Sequence, residues 1–238
     1  MLSAWLKSHL TRLKRVVFAM ATVPLLYLLQ GLIRKDLGAN PLETLLHVSG
    51  QSALVFLTLT LSITPLRRAL TLLSRKTSLK YGKRTSDWNW LVRMRRMLGL
   101  WCFAYACVHT GCFLEFDVGY DWATLASETK EKPYLLVGMS AFTLLWPLAL
   151  TSPSFAMRRL GKHWGTLHKA TYAVAMLGLL HFWWLVKPGI WRPLPYTLVI
   201  GGLLGYRYLL YLGLFEKWEG SDGRETSERP VSLLGVRS

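Results

Sequence analysis

The sequence predicts an all-α, polytopic membrane helical bundle of about six transmembrane helices, and three observations carry that prediction. The 238 residues are 52% hydrophobic, with 11 Trp and a positive mean hydropathy, which is too apolar for an ordinary soluble domain of this length. Six mostly apolar runs fit the roughly 20 residues that a helix needs to cross about 30 Å of hydrocarbon. The excess of basic residues falls in alternate connections between those runs, the pattern that orients helices in a membrane.

The runs are approximately 16–33, 47–65, 97–115, 134–151, 166–186 and 194–213. Pro65 is expected to close the second, Pro153 follows the fourth, and Pro193 and Pro195 precede the sixth, where a missing N–H is tolerated. Pro24 and Pro147 lie inside runs and should kink them. Lys7, Arg12, Lys14 and Arg15 precede the first run as they would in a signal peptide. Its apolar core is longer than the usual 7–15 residues and no Ala-x-Ala site follows, so it is expected to stay as a span. Three parts result: residues 1–15 as an N-terminal segment, 16–213 as the helical domain, and 214–238 as a polar, disordered tail.

The formal charge of +16 would suit nucleic acid if it were clustered on one soluble face. Instead, residues 1–16 carry four basic and no acidic side chains, 66–96 carry ten basic and one acidic, and 152–169 carry four basic and none acidic. The intervening loops 34–46, 115–132 and 187–196 have net charges of 0, −3 and +2. This alternation places both termini in the cytoplasm and those three loops outside. Anionic membrane lipid, not nucleic acid, is the expected counter-charge.

An ionisable side chain inside a span is costly and is a functional candidate by default. His109 lies in the outer half of the third span, and His181 lies about six residues below the outer end of the fifth. Both spans run outward, so the two imidazoles share a depth and can supply both axial ligands of a haem iron. Zinc usually takes at least three protein ligands and is less suited to two. Interhelical hydrogen bonding is the simpler role for a single histidine; the matched pair favours ligation. His168 lies 13 residues before His181, a rise of about 19.5 Å on a continuous helix, which suits two cofactors stacked across the membrane. An ideal helix would turn the two rings about 140° apart, so either the helix tightens or two haems occupy different grooves.

A fourth histidine would be expected 13 or 14 residues before His109, where the chain has Arg96 and Arg95. Arginine is a poor metal ligand, and Arg95 is instead a partner for a haem propionate. His163 reads as a solvated loop residue. His47 opens the second span at the outer side, within reach of the outer haem or of a docking partner, or as a plain helix-end histidine. Cys102, Cys107 and Cys112 all lie in the third span without the spacing of a cluster or haem attachment, and read as small packing residues.

Six stretches carry a resemblance: HVSGQSAL (47–54), ITPLRR (63–68), RRMLGLWCFAYACVH (95–109), LALTS (148–152), LGKHWGTLHKATY (160–172) and HFWW (181–184). Over residues 16 to 212 the chain resembles the MsrQ (YedZ) family, the haem-binding membrane subunits of the bacterial protein-methionine-sulfoxide reductase system. That family is similar to the ferric-reductase-like transmembrane domain. The resemblance implies a bacterial inner-membrane protein with one or two b-type haems, held at His109, His168 and His181. It implies electron flow from the quinol pool, or from a flavin reductase, to a periplasmic molybdopterin-containing sulfoxide reductase catalytic subunit in a heterodimer. Some relatives are associated with FMN, and no stretch here marks a flavin site.

The residues support part of this independently. Fewer than 30 residues follow the last run and there is no G-x-G-x-x-G, so the electron donor is expected to be a separate molecule. No outer loop is long enough for a substrate domain, and the acceptor should dock from outside, with acidic loop 115–132, Trp122 and Trp191 as candidate contacts. No nucleophile or general base is required, and no catalytic residue is assigned. A stand-alone ferric reductase and a non-redox transporter or scaffold are the competing functions.

Overall fold

The computed structural model describes residues 10–77, 82–187 and 191–212, and every regular element among them is helical. In chain order these are α1 (Leu10–Arg34), α2 (Pro41–Lys76), a 3-10 turn (Thr85–Trp88) and α3 (Asn89–Phe113). A π turn (Leu114–Val118), α4 (Trp122–Glu131), α5 (Pro133–Leu150), α6 (Ser154–Leu160), α7 (Lys162–Leu167), α8 (Ala170–Leu185) and α9 (Leu194–Tyr211) follow. The chain is a membrane protein: among the described residues four helices are long and apolar enough to cross a bilayer, namely α1, α2, α5 and the helix continuous from Ser86 to Val118. Large apolar side chains stay outside the bundle, among them Met20 at 68%, Ile33 at 74% and Leu198 at 67% exposure. Lipid tails are as apolar as these side chains, so the outer faces need no protein cover.

The core is formed where α2 packs on α3 and α5 packs on α8. One buried cluster runs through it, from Leu54, Phe56, Leu57 and Leu61 of α2 to Leu98, Cys102 and Tyr105 of α3, Leu145 of α5 and Val174, Ala175 and Leu179 of α8. Phe56 stacks on Tyr105 at 5.5 Å with planes 6° apart. All three cysteines are free thiols along α3.

Helix starts follow their sequence signals. Asn40 caps α2 by accepting from Glu43 N–H, with Pro41 in the first turn where its absent N–H is not missed. Asp121 caps α4 by accepting from Ala123 and Thr124 N–H and from the Thr124 hydroxyl. Those bonds hold its carboxyl below the ordinary carboxylate range. The cap is therefore present above that range and is lost as pH falls through the lowered value. Gly119, at φ 61°, closes the π turn in the left-handed region that glycine enters freely.

Two sequence expectations are corrected. Pro65 does not close the second helix: α2 runs through it for 11 further residues to Lys76, which makes the helix 36 residues long. The carbonyl that Pro65 leaves unpaired one turn back, Leu61 O, accepts a hydrogen bond from Arg207 Nη2 of α9 at 2.8 Å, so the helix survives the missing rung. The run 166–186 is not one helix: α7 ends at Leu167, α8 begins at Ala170, and His168 and Lys169 form the turn between them. Residues 10–15 form the first turns of α1.

Of the six expected spans, α8 has 16 residues and α9 has 18 with Arg207 inside it, and neither is among the four that qualify by length and apolarity. Beside Pro24, inside α1, stands Tyr105 of α3. Its buried hydroxyl accepts from Leu25 N–H at 3.1 Å and donates to Ala21 O at 2.6 Å, the two groups that face each other across that turn. The expected tail 214–238 lies outside the described residues.

Candidate functional site

His109 lies one turn before the end of α3, and His181 one turn before the end of α8. The bundle brings their rings to a centroid distance of 6.2 Å with planes 87° apart. Each ring has one nitrogen committed. His109 Nδ1 lies 3.0 Å from Leu46 O on α2, and His181 Nδ1 lies 2.8 Å from Tyr134 O on α5. A carbonyl only accepts, so each Nδ1 carries the proton and each Nε2 keeps its lone pair. Ser49, fully buried beside His109, sends its own proton to Leu45 O at 2.5 Å and so leaves that tautomer undisturbed.

Two neutral imidazoles whose Nε2 atoms have no hydrogen-bond partner among the described residues form a two-nitrogen ligand set. Ring centres roughly 6 Å apart are what two imidazoles on opposite sides of one metal require, at about 2 Å per metal–nitrogen bond. Among the described residues no group of three or more His, Cys, Asp or Glu gathers for a metal. A tetrahedral zinc site is therefore not offered, whereas an iron that brings four porphyrin nitrogens needs only two more ligands. The residues fit a haem.

The structure separates the other candidates from this pair. His168 sits in the α7–α8 turn with its ring stacked on Trp164 at 3.9 Å and its Nδ1 3.1 Å from Trp164 O. Trp164 is itself anchored through Nε1 to Thr151 O at 3.0 Å. No second imidazole packs on His168 among the described residues, and His163 is exposed. Arg95 lies close enough for its charge to act on His168 and for the charges of Arg207 and Arg67 to act on it. His47 forms an i, i+4 pair with Glu43 at 3.5 Å, one helical residue from the Leu46 carbonyl that holds His109. The expected 140° between His168 and His181 does not apply, because the helix breaks between them.

Several residues of the site escaped the sequence reading. Backbone carbonyls of Leu46 and Tyr134 have no sequence signature of their own. Arg207 and Tyr172, which bond each other between α9 and α8, were assigned no role from the sequence. The available signal was an arginine inside an apolar run, which asks for a named partner.

Comparison with known proteins gives the family. The profile described as "Ferric reductase like transmembrane component" matches residues 16–179. The "Protein-methionine-sulfoxide reductase heme-binding subunit MsrQ" of Azospira oryzae is 41% identical over 212 residues, covering 88% of this chain and 84% of that protein. The protein of the same name from Herminiimonas arsenicoxydans is 40% identical over 199 residues, covering 82% and 84%. That from Xanthomonas euvesicatoria is 40% identical over 193 residues, covering 81% and 77%. No solved structure matches significantly. With matches of this length on a helical bundle that pairs two imidazoles, the chain belongs to the ferric-reductase-like transmembrane proteins and, among them, to the MsrQ family.

Proposed function

We propose that the chain is the b-type haem electron-transfer subunit of a methionine sulfoxide reductase system in the bacterial inner membrane, with both termini cytoplasmic. The observation that carries this reading is the His109–His181 pair, with both Nδ1 protons tied to carbonyls and neither Nε2 hydrogen-bonded among the described residues. Bound there, an iron porphyrin supplies one-electron chemistry at a potential set by its ligands and burial. His109 and His181 hold the iron, while the buried α2–α3 and α5–α8 contacts fix their separation. Electrons arrive from quinol or from a flavin reductase and leave to a periplasmic molybdopterin-containing catalytic subunit. There a sulfoxide takes up two electrons and two protons to give thioether and water. His168 and Arg95 add one ligand nitrogen and one propionate partner, an incomplete set for a second haem.

The test is a visible and electron paramagnetic resonance spectrum of the purified protein, followed by mixing the reduced protein with the periplasmic reductase. A low-spin haem signal that reoxidises faster with the reductase than with ferric chelates is expected. Absence of a Soret band after expression with adequate haem overturns the redox reading, and equal reoxidation rates overturn the partner. His168→Ala is expected to leave the low-spin signal in place, because the paired rings do not touch His168. Its loss in that variant would move ligation away from the pair.

A further inference from the structure

The two imidazoles sit in seats of the same construction. His109 donates to Leu46 O, and a Cβ on Gly50, four residues further along α2, would lie 3.0 Å from its Nδ1 and 3.1 Å from its Cε1. His181 donates to Tyr134 O, and a Cβ on Gly138, four residues further along α5, would lie 2.7 Å from its Nδ1 and 2.8 Å from its Cε1. The four-residue offset has a geometric cause. In a helix the carbonyl of residue i points toward residue i+4, whose Cβ tilts back toward the N-terminus and leans over that carbonyl. A glycine at i+4 removes the cover and opens the carbonyl to a donor from a neighbouring helix.

We propose that Gly50 and Gly138 are positioning residues of the iron site: each opens one backbone carbonyl that fixes the tautomer and the plane of the imidazole facing it. This rests on the reading of His109 and His181 as haem ligands. The seats stand on different helices, and the planes they hold are 87° apart. Close helix packing is the ordinary reason for glycine in a membrane helix. Here, however, the three nearest atoms to each added Cβ all belong to the imidazole ring, and none to the backbone of the neighbouring helix. Alanine is also the better helix former at both positions, so glycine stands there against local propensity.

Gly138→Ala and Gly50→Ala test the proposal in the full-length protein, beside Gly111→Ala and Gly201→Ala, whose added Cβ meets nothing within 4 Å. The readouts are haem content per polypeptide and the ferric low-spin resonance, which is highly anisotropic when two axial imidazoles are perpendicular. Gly138→Ala is expected to weaken haem retention on the order of 10-fold or more, as loss of outer-shell support does at metal sites. Gly50→Ala, with more clearance, is expected to keep haem and shift the resonance. Both controls should match the parent protein. Wild-type haem content and an unshifted resonance in both seat variants overturn the proposal. Should Gly138→Ala fail to insert, Gly50→Ala decides alone. His181→Ala is run in parallel: if it keeps the low-spin haem, the ligand reading fails, and if it loses it while the seat variants stay unchanged, only the glycine proposal fails.

Discussion

Purified His181→Ala protein is expected to carry no low-spin haem, a larger loss than the roughly 10- to 100-fold that removal of an outer-shell partner causes at metal sites. The reason is the ligand count. Among the described residues no third His, Cys, Asp or Glu stands ready to take the vacated position, and alanine offers no ligand atom in its place. The seat itself survives the substitution, because Tyr134 O and Gly138 belong to α5 and do not depend on the ring. Added imidazole is therefore expected to restore part of the low-spin signal in His181→Ala and to have no such effect in the parent protein. His109→Ala should behave alike, with Leu46 O and Gly50 as the remaining seat. Unchanged haem content in either variant would remove the pair from the iron.

What the sequence made legible here was depth, and what it concealed was local geometry. Counting 1.5 Å per residue along two outward runs put His109 and His181 at one level, because apolar runs start and stop where the bilayer does. The same count failed for His168. It assumed an unbroken helix through 166–186, whereas the chain turns at His168 and Lys169 and stacks the imidazole on Trp164. Nothing in the apolarity of that run marks the break, since hydrophobicity reports solvent and not hydrogen bonding. Arg95 was placed beside a haem edge on spacing alone; in the fold it shares its neighbourhood with His168, Arg207 and Arg67. The glycine seats were in plain view as Gly50 and Gly138, but their meaning depends on which ring from another helix lies over them. Pro65 misled for a related reason: a missing N–H ends a helix only if nothing else satisfies the orphaned carbonyl.

Arg207→Met is expected to destabilise the bundle by about 2 kcal/mol, and the size of the effect should depend on Pro65. Arg207 donates through Nη2 to Leu61 O at 2.8 Å and through Nη1 to the Tyr172 hydroxyl, and its Cζ lies 5.0 Å from the Tyr172 ring centroid. It thereby ties α9 to α2 and α8. A hydrogen bond from a charged donor is worth about 1.5–3 kcal/mol, and a desolvated cation over a tyrosine adds on the order of 1. Relief of repulsion with Arg95 offsets part of the loss. Lysine cannot substitute: one ammonium lacks the planar fork that reaches carbonyl and phenol together. In Pro65→Ala the restored N–H satisfies Leu61 O from within α2, so Arg207→Met should then cost about 1 kcal/mol less than it does beside proline. Unfolding in graded denaturing detergent, measured for the parent, both single variants and the double variant, gives the coupling. Additive effects would show that Arg207 stabilises the fold through Tyr172 alone, and that α2 passes Pro65 without help from α9.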